Sequence, residues 1–250
     1  LYIQAPGLTS LELPGLTSVG GDLYIGDNPA LINLDLSGLI SVGGFLNIWK
    51  NVELTSLSGF TSLTSVGSYL QICRMSALTN LDGLSSLTSI GGDLIITMNP
   101  ILVSLAGLGN LTSVGGRLSI SENAALTSLN GLEGITAVAG NLEIGHNNAL
   151  NTLEALNRVA SVGGYLSIRN NDTLTSLGLT SLTSVAGSLT IENNINLPAC
   201  EAESLKDQLI ANGYSGEVQI SGNDDPCDPD PCTAGVCSMD CTAPEDYVCI

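Results

Sequence analysis

Apolar and polar residues follow one motif that returns every 23 or 24 residues over most of the chain. Each copy opens with an apolar residue, a variable residue and isoleucine, which is the alternation of a half-buried β-strand. A period of this length is typical of a solenoid, in which each copy forms one coil. The copies begin at Leu1, Leu23, Leu46, Leu70, Leu94, Leu118, Leu142, Leu166, Leu189 and Val218.

Two further short apolar segments follow the opening strand in each copy, of the type LTSL and LTSV. Each segment can turn two apolar residues inward and two polar residues outward. The pattern therefore predicts an all-β fold, a parallel three-sided β-helix of about ten coils with three short strands per coil. Parallel coils would stack at about 4.8 Å, the spacing between paired strands.

Asparagine recurs at the corner after the first strand, and paired glycines recur before the next copy begins. A stacked asparagine can bond its own turn and that of its neighbour, so we expect a structural ladder, which Met75 interrupts. The glycines are expected to adopt positive φ at the second corner. The predicted ladder consists of Asn28, Asn51, Asn99, Asn123, Asn147, Asn171, Asn194 and Asn223.

These leucine, isoleucine, valine, glycine and asparagine positions make residues 1 to about 223 resemble the receptor L domain family. Its members hold ligands in the insulin and epidermal-growth-factor receptors, and the fold recurs in fungal cell-wall and bacterial surface proteins. The very regular microbial versions are the more similar ones. The resemblance implies a non-catalytic solenoid that binds a ligand, and it does not specify which ligand.

The repeat ends in a different kind of sequence. Ala202, Leu205, Leu209 and Ile210 lie at helical spacing and Gly213 can end a helix, so we predict a helix near 201–212 that covers the last coil. A boundary then divides a solenoid domain, 1–223, from a cysteine-rich tail, 224–250. No equivalent cap precedes Leu1, where the chain opens in the middle of the pattern.

Six of the seven cysteines lie near the C-terminus and can pair fully, which favours an oxidising, extracellular compartment. Four of them resemble the first cysteines of an EGF-like module, with DPCDPDPC and YVC as matching phrases. The alternative is a disulfide-knotted linker of no family. The disulfide candidates are Cys200, Cys227, Cys232, Cys237, Cys241 and Cys249.

The charge balance narrows the range of partners. With 24 acidic and 6 basic residues, the net charge is −18, which disfavours nucleic acid because phosphate binding requires lysine and arginine. No apolar run is long enough to span a membrane. The single histidine, His146, lies three coils from Cys73, and no metal, cofactor or catalytic motif is apparent. We therefore expect a protein that is not an enzyme.

The aromatic residues are concentrated on the outer face of the first strands. Four of the nine aromatic residues lie on this face in three successive copies, the second to the fourth, where they could bind a glycan or a partner protein. Strand propensity and cover by an additional segment are alternative explanations. Our main hypothesis is a secreted or surface-anchored microbial recognition or scaffold module that binds through Tyr24, Phe45, Asn47, Trp49, Tyr69 and Gln71.

Two further hypotheses use the regularity of the repeat. Copies of the chain could assemble end to end into a filament or surface layer. Alternatively, a rank of threonines on the LTSV face could order water in an ice-like lattice, although threonine is also a good strand residue. That rank consists of Thr17, Thr64, Thr88, Thr112, Thr136 and Thr183.

Overall fold

The computed structural model describes residues 1–224, which form a parallel β-solenoid followed by a helix. The first strand of every copy joins one ten-stranded sheet, here called the first sheet, in the order of the sequence. Equivalent residues pair directly, as Leu94 does with Leu118. Its strands are Tyr2–Ile3, Leu23–Gly26, Leu46–Trp49, Leu70–Cys73, Leu94–Thr97, Leu118–Ser121, Leu142–Gly145, Leu166–Arg169, Leu189–Glu192 and Val218–Ser221.

The LTSV segments form an eight-stranded parallel sheet, here called the third sheet. The predicted fold class is confirmed, but eight coils rather than ten pass through all three sides. The ninth copy continues into a helix, and the tenth contributes only its first strand to the described structure. The strands are Ser18–Val19, Ser41–Val42, Ser65–Val66, Ser89–Ile90, Ser113–Val114, Ala137–Val138, Ser161–Val162 and Ser184–Val185.

The second side, formed by the LTSL segments, differs from the prediction of a third strand. Only Ser10–Glu12 and Asn33–Asp35 pair as strands there, and four later coils contain 3₁₀ helices. In these four coils the polar third residue bonds the backbone two residues later: the Asn80 side chain accepts from the Asp82 amide at 3.1 Å, and the Ser104 hydroxyl accepts from the Ala106 amide at 3.1 Å. Such turns compete with an extended strand. The helices are Ser58–Phe60, Asp82–Leu84, Ala106–Leu108 and Glu154–Leu156.

The core is a continuous column of leucine, isoleucine and valine side chains that are almost entirely inaccessible to solvent. Phe60 is the one fully buried aromatic residue of the described chain. In the first coil, Ile3, Leu8 and Leu11 pack against the column but stay partly exposed, because no coil covers their other side in the described structure.

The corner asparagines from Asn28 to Asn194 are buried, Asn223 is half-buried, and they are joined to one another from coil to coil on either side of Met75. The Asn147 carboxamide shows the pattern: its Oδ1 accepts from the backbone amide of Asn123 at 3.1 Å, and its Nδ2 donates to the carbonyl of Ile120 at 2.9 Å. At the step from Asn51 to Met75, a carboxamide is replaced by a buried thioether. Beyond it, the Met75 amide donates to Asn99 Oδ1 at 3.1 Å, so the ladder resumes.

The corner turns differ from the expectation for the paired glycines. The positive φ angles fall on the residue before each ladder position, such as Lys50 at 54° and Arg74 at 58°. None of the paired glycines has positive φ; instead, from Gly43 onward, they allow close approach of the coils. A Cβ on Gly91 would lie 2.2 Å from the Gly67 carbonyl oxygen, which is far inside van der Waals contact.

The helix spans Ala199–Ala211 and buries Ala202, Leu205 and Leu209 against the last coil. Gln208 Nε2 fixes it by donating to the Leu182 carbonyl at 2.6 Å. No helix among residues 1–224 is long and apolar enough to cross a membrane. The predicted EGF-like module and Cys227, Cys232, Cys237, Cys241 and Cys249 lie outside the described residues.

Candidate ligand-binding face

The outer face of the first sheet consists of the outward-facing residues of its strands. In each strand they lie before, between and after the two apolar residues that face the core. Register places equivalent residues directly beside one another: Tyr2 pairs with Tyr24, Tyr24 with Asn47, and Asn47 with Gln71. The position that precedes each strand adds Phe45 and Tyr69. All six residues predicted for ligand binding thus lie on this one face, at coils two to four.

Four aromatic rings form a continuous row along the solenoid axis, here called the aromatic ridge: Tyr2, Tyr24, Phe45 and Tyr69. The Tyr2 and Tyr24 rings stack with centroids 5.4 Å apart, and the Phe45 and Tyr69 rings stack at 4.7 Å. Tyr2 meets Phe45 edge-to-face at 6.4 Å and thereby joins the two pairs. The predicted set does not include Tyr2, which is 68% exposed and connects the ridge.

Burial in the ridge raises the pKa of the Tyr24 and Tyr69 phenols above the ordinary value. Both hydroxyl groups therefore remain neutral hydrogen-bond donors at physiological pH. Beside the ridge, Asn47 Nδ2 donates to Gln71 Oε1 at 3.1 Å. This amide pair separates the ridge from Trp49.

Trp49 lies at the edge of the same face, between two basic side chains. Lys50 Nζ is 5.2 Å from the Trp49 ring centroid, and the Arg74 guanidinium carbon is 6.0 Å from it. Lys50 also pairs with Asp27, with 2.9 Å between Nζ and Oδ1. We call Trp49, Lys50 and Arg74 the basic tryptophan cluster. Contacts of this kind are attractive because the ring face carries partial negative charge.

Sequence reasoning missed Lys50 and Arg74. Both occupy the positive-φ corner immediately after a strand, and that corner brings their side chains next to Trp49. The small number of basic residues in the sequence is a signal that could identify Lys50 and Arg74 as functional. Of the six basic residues in the chain, four lie within or directly beside strands of the first sheet: Lys50, Arg74, Arg117 and Arg169.

Tyr165 lies on the same face but away from the ridge. Its hydroxyl donates to Glu143, and this hydrogen bond raises the tyrosine pKa. Arg117 Nη1 lies 3.6 Å from Glu143 Oε2, and Arg169 Nε lies 3.3 Å from Glu192 Oε2. The basic residues of this part of the sheet are therefore matched by acids.

The threonines of the third sheet are exposed, and most bond their own scaffold. The hydroxyls of Thr64, Thr88, Thr112 and Thr183 each donate to a carbonyl of the preceding coil at 3.0–3.2 Å. These hydroxyl hydrogens therefore bond the protein itself, and only the oxygen lone pairs can accept hydrogen bonds from solvent. Thr17 and Thr136 lie in the same rank without such a bond. Ice binding and end-to-end assembly both stay predictions.

Groups for catalysis or metal binding are not assembled within residues 1–224. No cluster of three histidine, cysteine or acidic residues there could hold a metal ion. Cys73 is buried, which raises the pKa of its thiol, and His146 lies beyond two intervening strands, where its ring bonds Asn170 Nδ2 at 3.2 Å.

Comparison with known families supports the sequence resemblance. The receptor L domain family model matches residues 110–210 and, in an overlapping match, residues 134–230. The ridge and the basic tryptophan cluster precede the matched segment, in coils that continue the same sheets. No match was found among curated proteins or among solved structures. The predicted resemblance is confirmed: residues 110–230 match the receptor L domain, a family of non-catalytic ligand-binding domains, and the described chain is a parallel β-solenoid.

Proposed function

We propose that the protein is an extracellular recognition module of a microbial surface or secreted protein, and that it binds a polypeptide partner through the aromatic ridge and Trp49. One observation carries this proposal. Six of the nine aromatic and four of the six basic residues lie on or beside the first sheet of a protein with a net charge of −18. Aromatic and arginine side chains dominate the binding energy of protein interfaces.

The arrangement of the rings favours a polypeptide over a glycan. A sugar-binding platform needs exposed ring faces, whereas the Tyr2–Tyr24 and Phe45–Tyr69 pairs use ring faces for stacking on each other. The ridge therefore offers ring edges and neutral hydroxyls, which suit apolar side chains and backbone carbonyls. The ligand-binding character of the receptor L domain family supports the same choice.

The cellular location is proposed on the composition of the chain. Six cysteines follow residue 199, in a stretch of about fifty residues, and such density is typical of secreted proteins. The regular repeat is the reason to place the protein among microbial surface proteins.

Selection from a display library of random twelve-residue peptides tests the proposal. We expect enriched peptides to bind the immobilised protein, and to lose about tenfold or more in affinity to the variant Tyr24→Ala/Trp49→Ala, because these residues supply the central apolar contacts. Affinity is measured by surface plasmon resonance, after circular dichroism has verified that the variant folds.

The matched control is Ile40→Ala/Val103→Ala, which removes two side chains about half exposed on the other sides of the solenoid. We expect this variant to bind the selected peptides as the wild type does. Equal losses in both variants, or none in either, would contradict binding at the first sheet. Selective binding to a glycan array that depends on Tyr24 and Trp49, with no enriched peptide, would assign the face to a glycan instead.

A further inference from the structure

Among the four basic residues of the first sheet, Arg74 alone lacks an acidic partner in the described structure. The other three basic residues of the first sheet each lie within 4.0 Å of a carboxylate, as in the Lys50–Asp27 pair. Within residues 1–224, no carboxylate lies that close to Arg74. Its Nε instead contacts the thioether of Met98 at 3.3 Å, which is a weak acceptor.

An unpaired guanidinium is unexpected on a protein that carries four acidic residues for each basic one. Its position is fixed by the corner backbone, where Arg74 has a φ of 58°, and by the Trp49 ring at 6.0 Å. Lys50 contacts the same ring at 5.2 Å. The result is a small positive area beside an aromatic surface on an otherwise acidic molecule.

We infer that the basic tryptophan cluster binds a carboxylate side chain of an acidic polypeptide segment, an inference that rests on the proposed function and specifies its partner. The carboxylate accepts hydrogen bonds from the Arg74 guanidinium and lies near the Lys50 ammonium. Apolar atoms of the same segment contact Trp49 and the neighbouring ridge.

Two physical effects make this site selective. A charge-assisted hydrogen bond from arginine to a carboxylate is roughly twice as strong as a neutral one, and it strengthens as the partner displaces water from the ring. The repulsion between the ligand and the negative charges elsewhere on the protein weakens with distance, because salt screens exposed charges beyond about 10 Å. An acidic segment is therefore attracted at this cluster and repelled elsewhere.

The fluorescence of Trp49 gives a direct test, since it is the only tryptophan of the chain. Hexaglutamate and hexaglutamine peptides are the probes. We expect hexaglutamate to change the emission saturably, hexaglutamine to have no effect, and the affinity to fall as sodium chloride rises from about 50 to about 500 mM. Arg74→Gln should weaken hexaglutamate binding about tenfold or more.

Arg158→Gln is the matched control, because Arg158 is exposed and lies off the first sheet, and its loss changes the net charge equally. Equal effects of the two substitutions, or no response to hexaglutamate, would overturn the inference. So would a response to a heparin oligosaccharide without one to hexaglutamate. If library peptides that depend on Tyr24 and Trp49 are neutral and insensitive to Arg74→Gln, this inference fails and the proposed function stands.

Discussion

Replacement of Asn147 by alanine is expected to lower the free energy of unfolding by about 2–6 kcal/mol, because two buried backbone groups lose their partners at about 1–3 kcal/mol each. These groups are the Asn123 amide, which donates to Asn147 Oδ1, and the Ile120 carbonyl, which accepts from Asn147 Nδ2. The Asn147 side chain is fully buried, so both groups are removed from bulk solvent. Urea denaturation monitored by circular dichroism measures the change.

Asn148→Ala is the control for this substitution. Asn148 is the next residue, it is exposed, and its side chain makes no hydrogen bond in the described structure. We expect a change within about 0.5 kcal/mol. If the two variants unfold at the same urea concentration, the ladder does not contribute to stability as argued.

The substitution Gly91→Ala should destabilise the protein, by about 1–3 kcal/mol or more, whereas Gly20→Ala should not. Both glycines open a paired-glycine corner, but their surroundings differ. A Cβ on Gly91 would lie 2.2 Å from the Gly67 carbonyl oxygen, and a Cβ on Gly20 would meet no atom within 4 Å. The added methyl group at position 91 must separate two coils that hydrogen bonds hold together.

Gly20→Ala is expected to be neutral or to stabilise by about 0.4–1 kcal/mol, because alanine reduces the freedom of the unfolded chain. The thermal unfolding temperature should therefore fall for Gly91→Ala and stay the same or rise for Gly20→Ala. Similar decreases in both would show that these glycines are required for backbone conformation rather than for close approach.

The repeat allowed the class of fold to be predicted because periodicity reports which side chains face the core. It placed the strands of the first sheet at Leu94 and its equivalents, and it placed the helix within two residues of its observed start. It failed on the second side, where an LTSL segment reads as a strand by alternation. There the side chains of Asn80 and Ser104 bond the backbone two residues later, and alternation alone cannot reveal that competition.

The binding face was predictable only in part. Alternation placed Tyr24 and Trp49 on the outer face because successive side chains of a strand point to opposite faces of the sheet. The basic residues beside Trp49 could not be found that way, because Lys50 and Arg74 belong to a corner whose positive φ is not encoded by glycine. Only the three-dimensional turn shows that these side chains approach the ring.

The interruption at Met75 removes the corner side-chain hydrogen bonds from one junction between coils. At the step from Asn28 to Asn51, three side-chain hydrogen bonds cross between coils, whereas at the step from Asn51 to Met75 none of the three is present in the described structure. Since each coil contacts only its neighbours, opening under tension should begin where fewest bonds must break. The ridge and the basic tryptophan cluster span this junction, from Tyr2 to Arg74. A ligand bound there would clamp the coils on either side together and delay their separation under force.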